Sequence, residues 1–383
     1  MTERYYYADS HLKRFTARVI SCAPAEGGWE VILDGTAFFP EGGGQNWDTG
    51  TLGGVRVTAV TERDGDVVHR TDGPLAAGAA VEGVIDWDRR FRSMQDHTAE
   101  HIVSGIVHRL YGYENVGFHL GADGAIVDFS GYLTPEQLAE VERLANEAVW
   151  ADAPVRAWFP TKEELKSIPY RSKLDLKENV RLVEIEGWDV CACCATHVAR
   201  TGEIGVIRIL DSIRRHESGV RIRMTGGREA YRECREKADA VGRISALLSA
   251  PPEKTPEAVE RLLEEKAAAA SRVRTLTDRL AERIAEGAAA TEGDLLFFED
   301  ALDAEGMRTL VNAARRKCGG IAACFAREGD GYRYVMGSER EDTRTAAKDV
   351  NAALGGRGGG RPEMVQGSLA AAREAIEDYF RNR

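Results

Sequence analysis

Two short segments carry the residue types that do chemistry. His97-Thr98-Ala99-Glu100-His101 sets two imidazoles four residues apart, and Cys193-Cys194-Ala195-Thr196-His197 sets a thiol and a third imidazole at the same spacing. On a helix, positions i and i+4 share a face, so His97 and His101 can reach one ion. One Cys and three His compose a tetrahedral zinc shell, or three ligands beside a position shared with water or substrate. The chemistry to expect is zinc-assisted hydrolysis. The rival zinc-peptidase motif needs Glu directly after the first His; Thr98 stands there, and Glu100 lies elsewhere on the helix. Spacing to His197 favours Cys193 as the sulfur ligand, with Cys191 and Cys194 crowding the same place. The alternative for Cys191 and Cys194 is a redox pair, and for the whole set a purely structural zinc.

A second signal is Phe38-Phe39-Pro40-Glu41-Gly42-Gly43-Gly44-Gln45. Three glycines let the backbone take positive φ or approach a ligand, and Gln45 brings one donor and one acceptor there. A bare hairpin turn is the alternative. Positive charge gathers at Arg214, Arg215, Arg221, Arg223, Arg228 and Arg232, diluted by Glu217, Glu229 and Glu233. Arg357 sits in the run Gly355 to Gly360 and Arg361 directly follows it, where backbone N–H groups and guanidinium can both meet phosphate. Solvated faces are the alternative for these arginines, and no GxxxxGK[ST] pattern supports nucleotide binding.

These residues need elements to position them. Residues 1–90 read as a small β-barrel: Ala17–Ile20, Trp29–Leu33, Val55–Val60 and Val81–Trp87 are short apolar runs broken by Gly, Asp and Pro. From Arg89 to Tyr111, Met94, Thr98, Ile102 and Ile106 follow helical spacing, which puts the histidine pair on a helix. A strand is expected at Ala125–Ser130. Thr134, Pro135 and Gln137 read as N-cap, first helical residue and capping-box partner of a helix to Val149. Val180–Glu186 and Ile204–Ile209 read as strands on either side of the cysteine cluster. Residues 91–227 are thus an α+β domain holding the zinc set.

Residues 228–290, rich in Ala, Glu, Arg and Leu, read as a helical or coiled-coil arm interrupted at Pro251-Pro252. Strands at Asp294–Phe298, Ile321–Arg327 and Tyr332–Met336 and a helix from Ser368 make residues 291–383 a small α/β domain. The whole is an α+β protein of several domains, as 383 residues require. No apolar run is long enough for a membrane span, and Met1-Thr2-Glu3-Arg4 opens no signal peptide. Seven cysteines, an odd number with three clustered, suit reduced thiols and a cytoplasmic protein. A net charge of −11 excludes a generally basic nucleic-acid binder, leaving RNA contacts to local patches.

Taken in order, Asp34 to Gln45 with its Gly-Gly-Gln loop, His97/His101, and Cys193/His197 running into Thr201-Gly202-Glu203-Ile204-Gly205 resemble the editing half of alanyl-tRNA synthetase and its free-standing relatives, the AlaX proteins. The resemblance covers about residues 1–225 strongly. The remainder more loosely resembles the synthetase's C-terminal domain, also found beside DHH-type phosphoesterase domains, as in the long form of AlaX. One departure stands out: the family has Cys-Gly-Gly-Thr-His where this chain has Cys193-Cys194-Ala195-Thr196-His197.

The resemblance implies a zinc-dependent deacylase with His97, His101, Cys193 and His197 as ligands. It would hydrolyse the aminoacyl ester of alanine tRNA mischarged with serine or glycine. Gln45 and His119 would position the ester or water, and Arg214, Arg215, Arg221, Arg357 and Arg361 would contact tRNA. The C-terminal domain would bind tRNA or form a homodimer. No aminoacylation segment precedes the barrel, so adenylate formation is not expected. An RNA-binding or assembly protein with a structural zinc is the alternative reading, while a phosphodiesterase lacks its Asp-His-His segment here.

Overall fold

The computed structural model describes residues 1–121, 124–172, 179–215 and 219–383. They form two compact units, Met1–Ala240 and Val241–Arg383.

In the first unit, strands Arg14–Ala25, Gly28–Leu33, Asp66–Thr71, Val55–Arg63, Gly50–Leu52 and Ala80–Ile85 pair in that order and close into a barrel. Strand alternation fills it: in Arg14–Ala25 the residues Phe15, Ala17 and Val19 face in while their neighbours face solvent. Val31, Leu33, Phe38, Leu52, Val57, Val60 and Val67 complete the core. The hairpin between Val55–Arg63 and Asp66–Thr71 turns on Asp64-Gly65, both at positive φ, the two-residue turn whose twist matches the strands.

A histidine lies wholly inside this core, beside buried Thr36. His69 donates from Nδ1 to the Val31 carbonyl at 3.1 Å, and its Nε2 accepts from Thr36 Oγ1 at 2.8 Å. Burial pushes its imidazole down to about 4, against the opposing pull of the Val31 hydrogen bond. The unfolded chain therefore binds a proton from pH 6.5 downward and the folded chain does not until about pH 4. The contribution of His69 to stability is constant above pH 6.5 and falls as pH drops through that window, by about 3 kcal/mol in all. All six tryptophans lie in residues 1–240, so their fluorescence reports this unit alone. Urea titrations from pH 7 to 4 should show a loss smaller by about 3 kcal/mol in His69→Gln than in the wild type.

Helix Trp87–Tyr111 follows the barrel, capped by Asp86, whose side chain accepts from the Arg89 N–H, and ended by Gly112 at φ 68°. Every residue from Met94 to Val107 is buried. Such a helix is enclosed rather than amphipathic. Its enclosure comes from the sheet Ile207–Arg214, Val220–Gly226, Gly124–Phe129 and Asn115–Gly121, from helix Pro135–Trp150, and from the sheet Val155–Trp158, Leu182–Ile185 and Asp189–Ala192. The Thr134/Gln137 capping box forms as expected. The strand expected at Ile204–Ile209 begins three residues later, because Thr201–Ile204 is a 3₁₀ turn. Thr201 Oγ1 donates to the Ala148 carbonyl at 2.6 Å, and Glu203 accepts from the N–H groups of Ala199 and Arg200, so Thr-Gly-Glu-Ile-Gly is a clamp between elements.

Helices Gly227–Leu248 and Thr255–Gly287 are separated at Pro251-Pro252, as proline requires. The second unit holds a five-stranded sheet in the order Leu295–Phe298, Ala322–Glu328, Gly331–Gly337, Met364–Leu369, Arg357–Arg361, with helices Ala304–Ala314, Thr343–Ala353 and Arg373–Arg381. The glycine run is thus an edge strand, not a loop. A Cβ on Gly358 would lie 2.6 Å from the Tyr334 hydroxyl, so glycine there permits strand and ring to approach. No described helix is long and apolar enough to cross a membrane.

Candidate metal centre and its cavity

The histidine helix brings His97 and His101 onto one face, and the segment after strand Asp189–Ala192 brings Cys193 and His197 to meet them. One ligand atom from each of the four lies within 4.8 Å of all the others. Cys193 Sγ is 3.6 Å from His97 Nε2 and 3.4 Å from His197 Nε2. Zinc bonds of ordinary length at the tetrahedral angle separate nitrogen from sulfur by about 3.5 Å. The donor set fits the ion.

Groups behind the imidazoles fix which nitrogen faces inward. Gln45 Nε2 donates to Thr196 Oγ1 at 3.0 Å, which leaves Gln45 Oε1 to accept from His97 Nδ1 at 2.9 Å. Thr98 Oγ1 gives its proton to the Met94 carbonyl at 2.7 Å, so it accepts from His197 Nδ1 at 3.1 Å. His101 Nδ1 faces the Asp189 carboxylate at 3.4 Å, an ion-pair distance, and Arg171 holds that carboxylate with two bonds of 2.7 Å. All three Nε2 lone pairs therefore point at one place, the arrangement metal-binding histidines use.

The electrostatics agree for Cys193 and His197, whereas His101 holds a proton on the metal-free chain that a bound zinc would displace. Burial alone would raise the Cys193 thiol, but His97 and His197, with hydrogen bonds from His101 and His197, hold it well below the usual range. Burial pushes His197 down to about 3, keeping a neutral ligand. Burial would lower His101 as well, yet Cys191, Asp189 and Cys193 outweigh it and raise it well above the ordinary value.

The glycine loop has a clear purpose here. Gly42 and Gln45 exchange backbone hydrogen bonds of 3.0 Å around Gly43 and Gly44, at φ 60° and 81°. Positive φ at both positions favours glycine there, and at Gly44 a Cβ would also lie 2.6 Å from the Phe118 ring. It aims Gln45, 1% exposed, at the back of His97 rather than into the cavity. Gln45→Ala should lower zinc affinity about 10- to 100-fold, the usual cost of losing such a support. Competition with a chromophoric chelator measures it.

His119 is placed differently. It is exposed on strand Asn115–Gly121, one residue out of phase with Phe118, whose ring packs 4.6 Å from that of His97. Alternation turns His119 away from the cavity. Among the cysteines, Cys193 joins the three histidines, Cys191 groups with His101 and Asp189, and exposed Cys194 sits at the cavity wall.

The arginines are largely spoken for. Arg215 and Arg221 share Asp128 at 2.6 and 2.7 Å, Arg223 pairs with Asp211, and Arg214 lies over the Tyr132 ring. Arg228 pairs with Asp88, and Arg232 with Glu229. Arg357 and Arg361 are exposed on the edge strand of the second unit.

Above the four donors opens a cavity of about 550 Å³ whose walls include Arg4, Tyr7, Glu100, Phe118, Phe159 and Arg181. Sequence reasoning passed over most of these. Arg181 donates to the carbonyls of Cys193 (3.0 Å) and Ala195 (2.8 Å), fixing the loop that carries the thiol. Asp189 was within reach of a period-two reading, since Asp189, Cys191 and Cys193 alternate along one stretch.

Residues 180–224 match the family described as the threonyl and alanyl tRNA synthetase second additional domain, and residues 288–382 match the DHHA1 domain. The chain is 34% identical over 402 residues to an alanine–tRNA ligase of Pyrococcus abyssi, covering 99% of this chain and 43% of that one. It is 36% identical over 294 residues to that of Methanopyrus kandleri, covering 73% of this chain and 32% of the other. The chain thus spans less than half the length of the curated relatives it matches. The solved C-Ala domain of Aquifex aeolicus alanyl-tRNA synthetase matches 23% of this chain and 86% of its own at 23% identity, with a TM-score of 0.20.

Proposed function

We propose that this chain, a relative of alanine–tRNA ligases that carries their second additional domain and a DHHA1 domain, is an AlaX-like editing protein that hydrolyses the ester of mischarged alanine tRNA in the cytoplasm. The observation that carries the reading is the convergence of three imidazoles and one thiol, of which His97, His101 and Cys193 line a cavity large enough for an aminoacylated ribose. The substrate would be seryl- or glycyl-tRNA. A largely apolar cavity that carries a few polar groups, Arg4, Tyr7 and Glu100 among them, can hydrogen-bond a serine hydroxyl that alanine lacks, a discrimination a synthesis pocket achieves poorly.

His97, His101, Cys193 and His197 would hold zinc. When bound, it supplies a fixed positive charge able to polarise or orient the ester. Gln45, Thr98 and Asp189 keep the imidazoles in register. Tyr7 and Phe159, edge to face at 5.5 Å, wall the cavity, and Arg4 adds positive charge beside them. In this reading residues 1–90 and 91–227 form the deacylase, 228–290 the arm, and 291–383 the part that binds tRNA or pairs with a second copy.

A second reading has its own support. Four protein donors are the complement of a structural zinc, so an RNA-binding or assembly protein without hydrolase activity is the competitor. Zinc-loaded protein incubated with seryl-, glycyl- and alanyl-tRNA for alanine separates the two. Rapid loss of the seryl or glycyl ester with the alanyl ester spared is expected; three intact esters would favour the competitor.

A further inference from the structure

Catalytic zinc sites keep a position open for water, whereas four protein donors fill a tetrahedral shell. The group that activates water in this cavity is then to be sought on the chain. His97, His101 and Cys193 are turned to the ion site, and Arg4, Arg171 and Arg181 are cations. Glu100 remains. It is 3% exposed, on the turn of helix that carries His97 and His101, and it lines the cavity.

Its two oxygens are used differently. Oε1 accepts from Ser104 Oγ at 2.5 Å and from Asn115 Nδ2. Asn115 is itself fixed, its Oδ1 accepting from the Gly117 N–H at 3.1 Å. Oε2 has no hydrogen-bond partner among the described residues and lies 4.0 Å from His101 Nε2. A carboxylate anchored through one oxygen presents the other in a set direction, as a proton acceptor in a preorganised site must.

We propose that Glu100 is the general base of the ester hydrolysis, an inference that rests on the editing reading above. Oε2 takes one proton from the water as its oxygen bonds to the ester carbonyl carbon. The carbonyl π pair moves onto oxygen and returns as the bond to the ribose oxygen breaks. The proton passes from Glu100 to that ribose oxygen, releasing the amino acid and the tRNA hydroxyl.

Glu100→Gln isolates this role, because a glutamine carbonyl still accepts from Ser104 and Asn115 while the amide cannot take a proton. The full chain, zinc-loaded, is assayed on seryl-tRNA beside measurements of zinc content, melting temperature and calorimetric binding of the non-hydrolysable 3′-seryl-amide of adenosine. E100Q should lower kcat about 10²- to 10⁴-fold, the range of general acid–base catalysis, with KM, zinc, melting temperature and analogue affinity unchanged. Formate should restore part of the Glu100→Ala rate in a dose-dependent way. Wild-type turnover in E100Q would overturn the proposal and leave the editing reading standing, and so would a rate loss that tracks lost zinc or lost analogue binding. A wild-type protein inert on seryl-, glycyl- and alanyl-tRNA alike would overturn both.

Discussion

Cys193→Ala protein should bind zinc at least about 100-fold more weakly than wild type and lose deacylation at least in proportion. Four-ligand zinc sites bind with about 10–16 kcal/mol, so one ligand in four is worth about 3 kcal/mol, or about two powers of ten. Cys193 is the cleanest ligand to remove. It is only partly buried and its carbonyl contact with Arg181 survives, and the loss behind it is confined to the Ala195 N–H, which donates to the thiol at 3.4 Å. His101 is less clean, since deleting its ring uncovers the Asp189 carboxylate. Chelator competition gives the affinity, and tryptophan fluorescence shows whether the first unit stays folded. Retained fold with lost hydrolysis supports editing. Unfolding together with metal loss supports a structural zinc.

Arg90→Met should destabilise the first unit by about 3–5 kcal/mol, the cost of stripping one partner from a buried ion pair. Arg90 is fully buried beneath the barrel. Its Nε bonds both Asp48 oxygens at 3.0 Å, Nη1 donates to the Ser10 carbonyl at 2.9 Å, and Nη2 reaches Asp48 and the Ala37 carbonyl. Asp48 also accepts from the Phe39 N–H at 2.6 Å. One guanidinium thus ties the first turn of the histidine helix to the N-terminal segment and to both ends of the glycine loop. Lysine, with a point charge in place of a planar fork, should rescue little. Urea unfolding followed by tryptophan fluorescence gives the difference, and a loss under 1 kcal/mol would refute the clamp.

What the sequence determined by itself is local or follows from spacing. Histidines four apart on a helix must share a face, and Thr134 three residues before Gln137 closes a capping box, because helix geometry sets both. Apolar runs cut by turn residues announce the N-terminal strands, and Pro251-Pro252 must interrupt the helices.

The tertiary structure decided the rest. Which cysteine joins the histidines depends on how the Asp189–Ala192 strand meets the buried helix. Gln45 supports His97 because a turn with two positive φ values folds it inward, and His119 faces away because Phe118 takes the inner side of its strand. Arg215 and Arg221 look like free charge in sequence and are held by Asp128, 87 and 93 residues distant. Glu100 seemed to lie off the ligand face, yet a helix buried on every side has no idle face, so it reaches the cavity. Periodicity says which residues share a face; only the packing of distant segments says what that face meets.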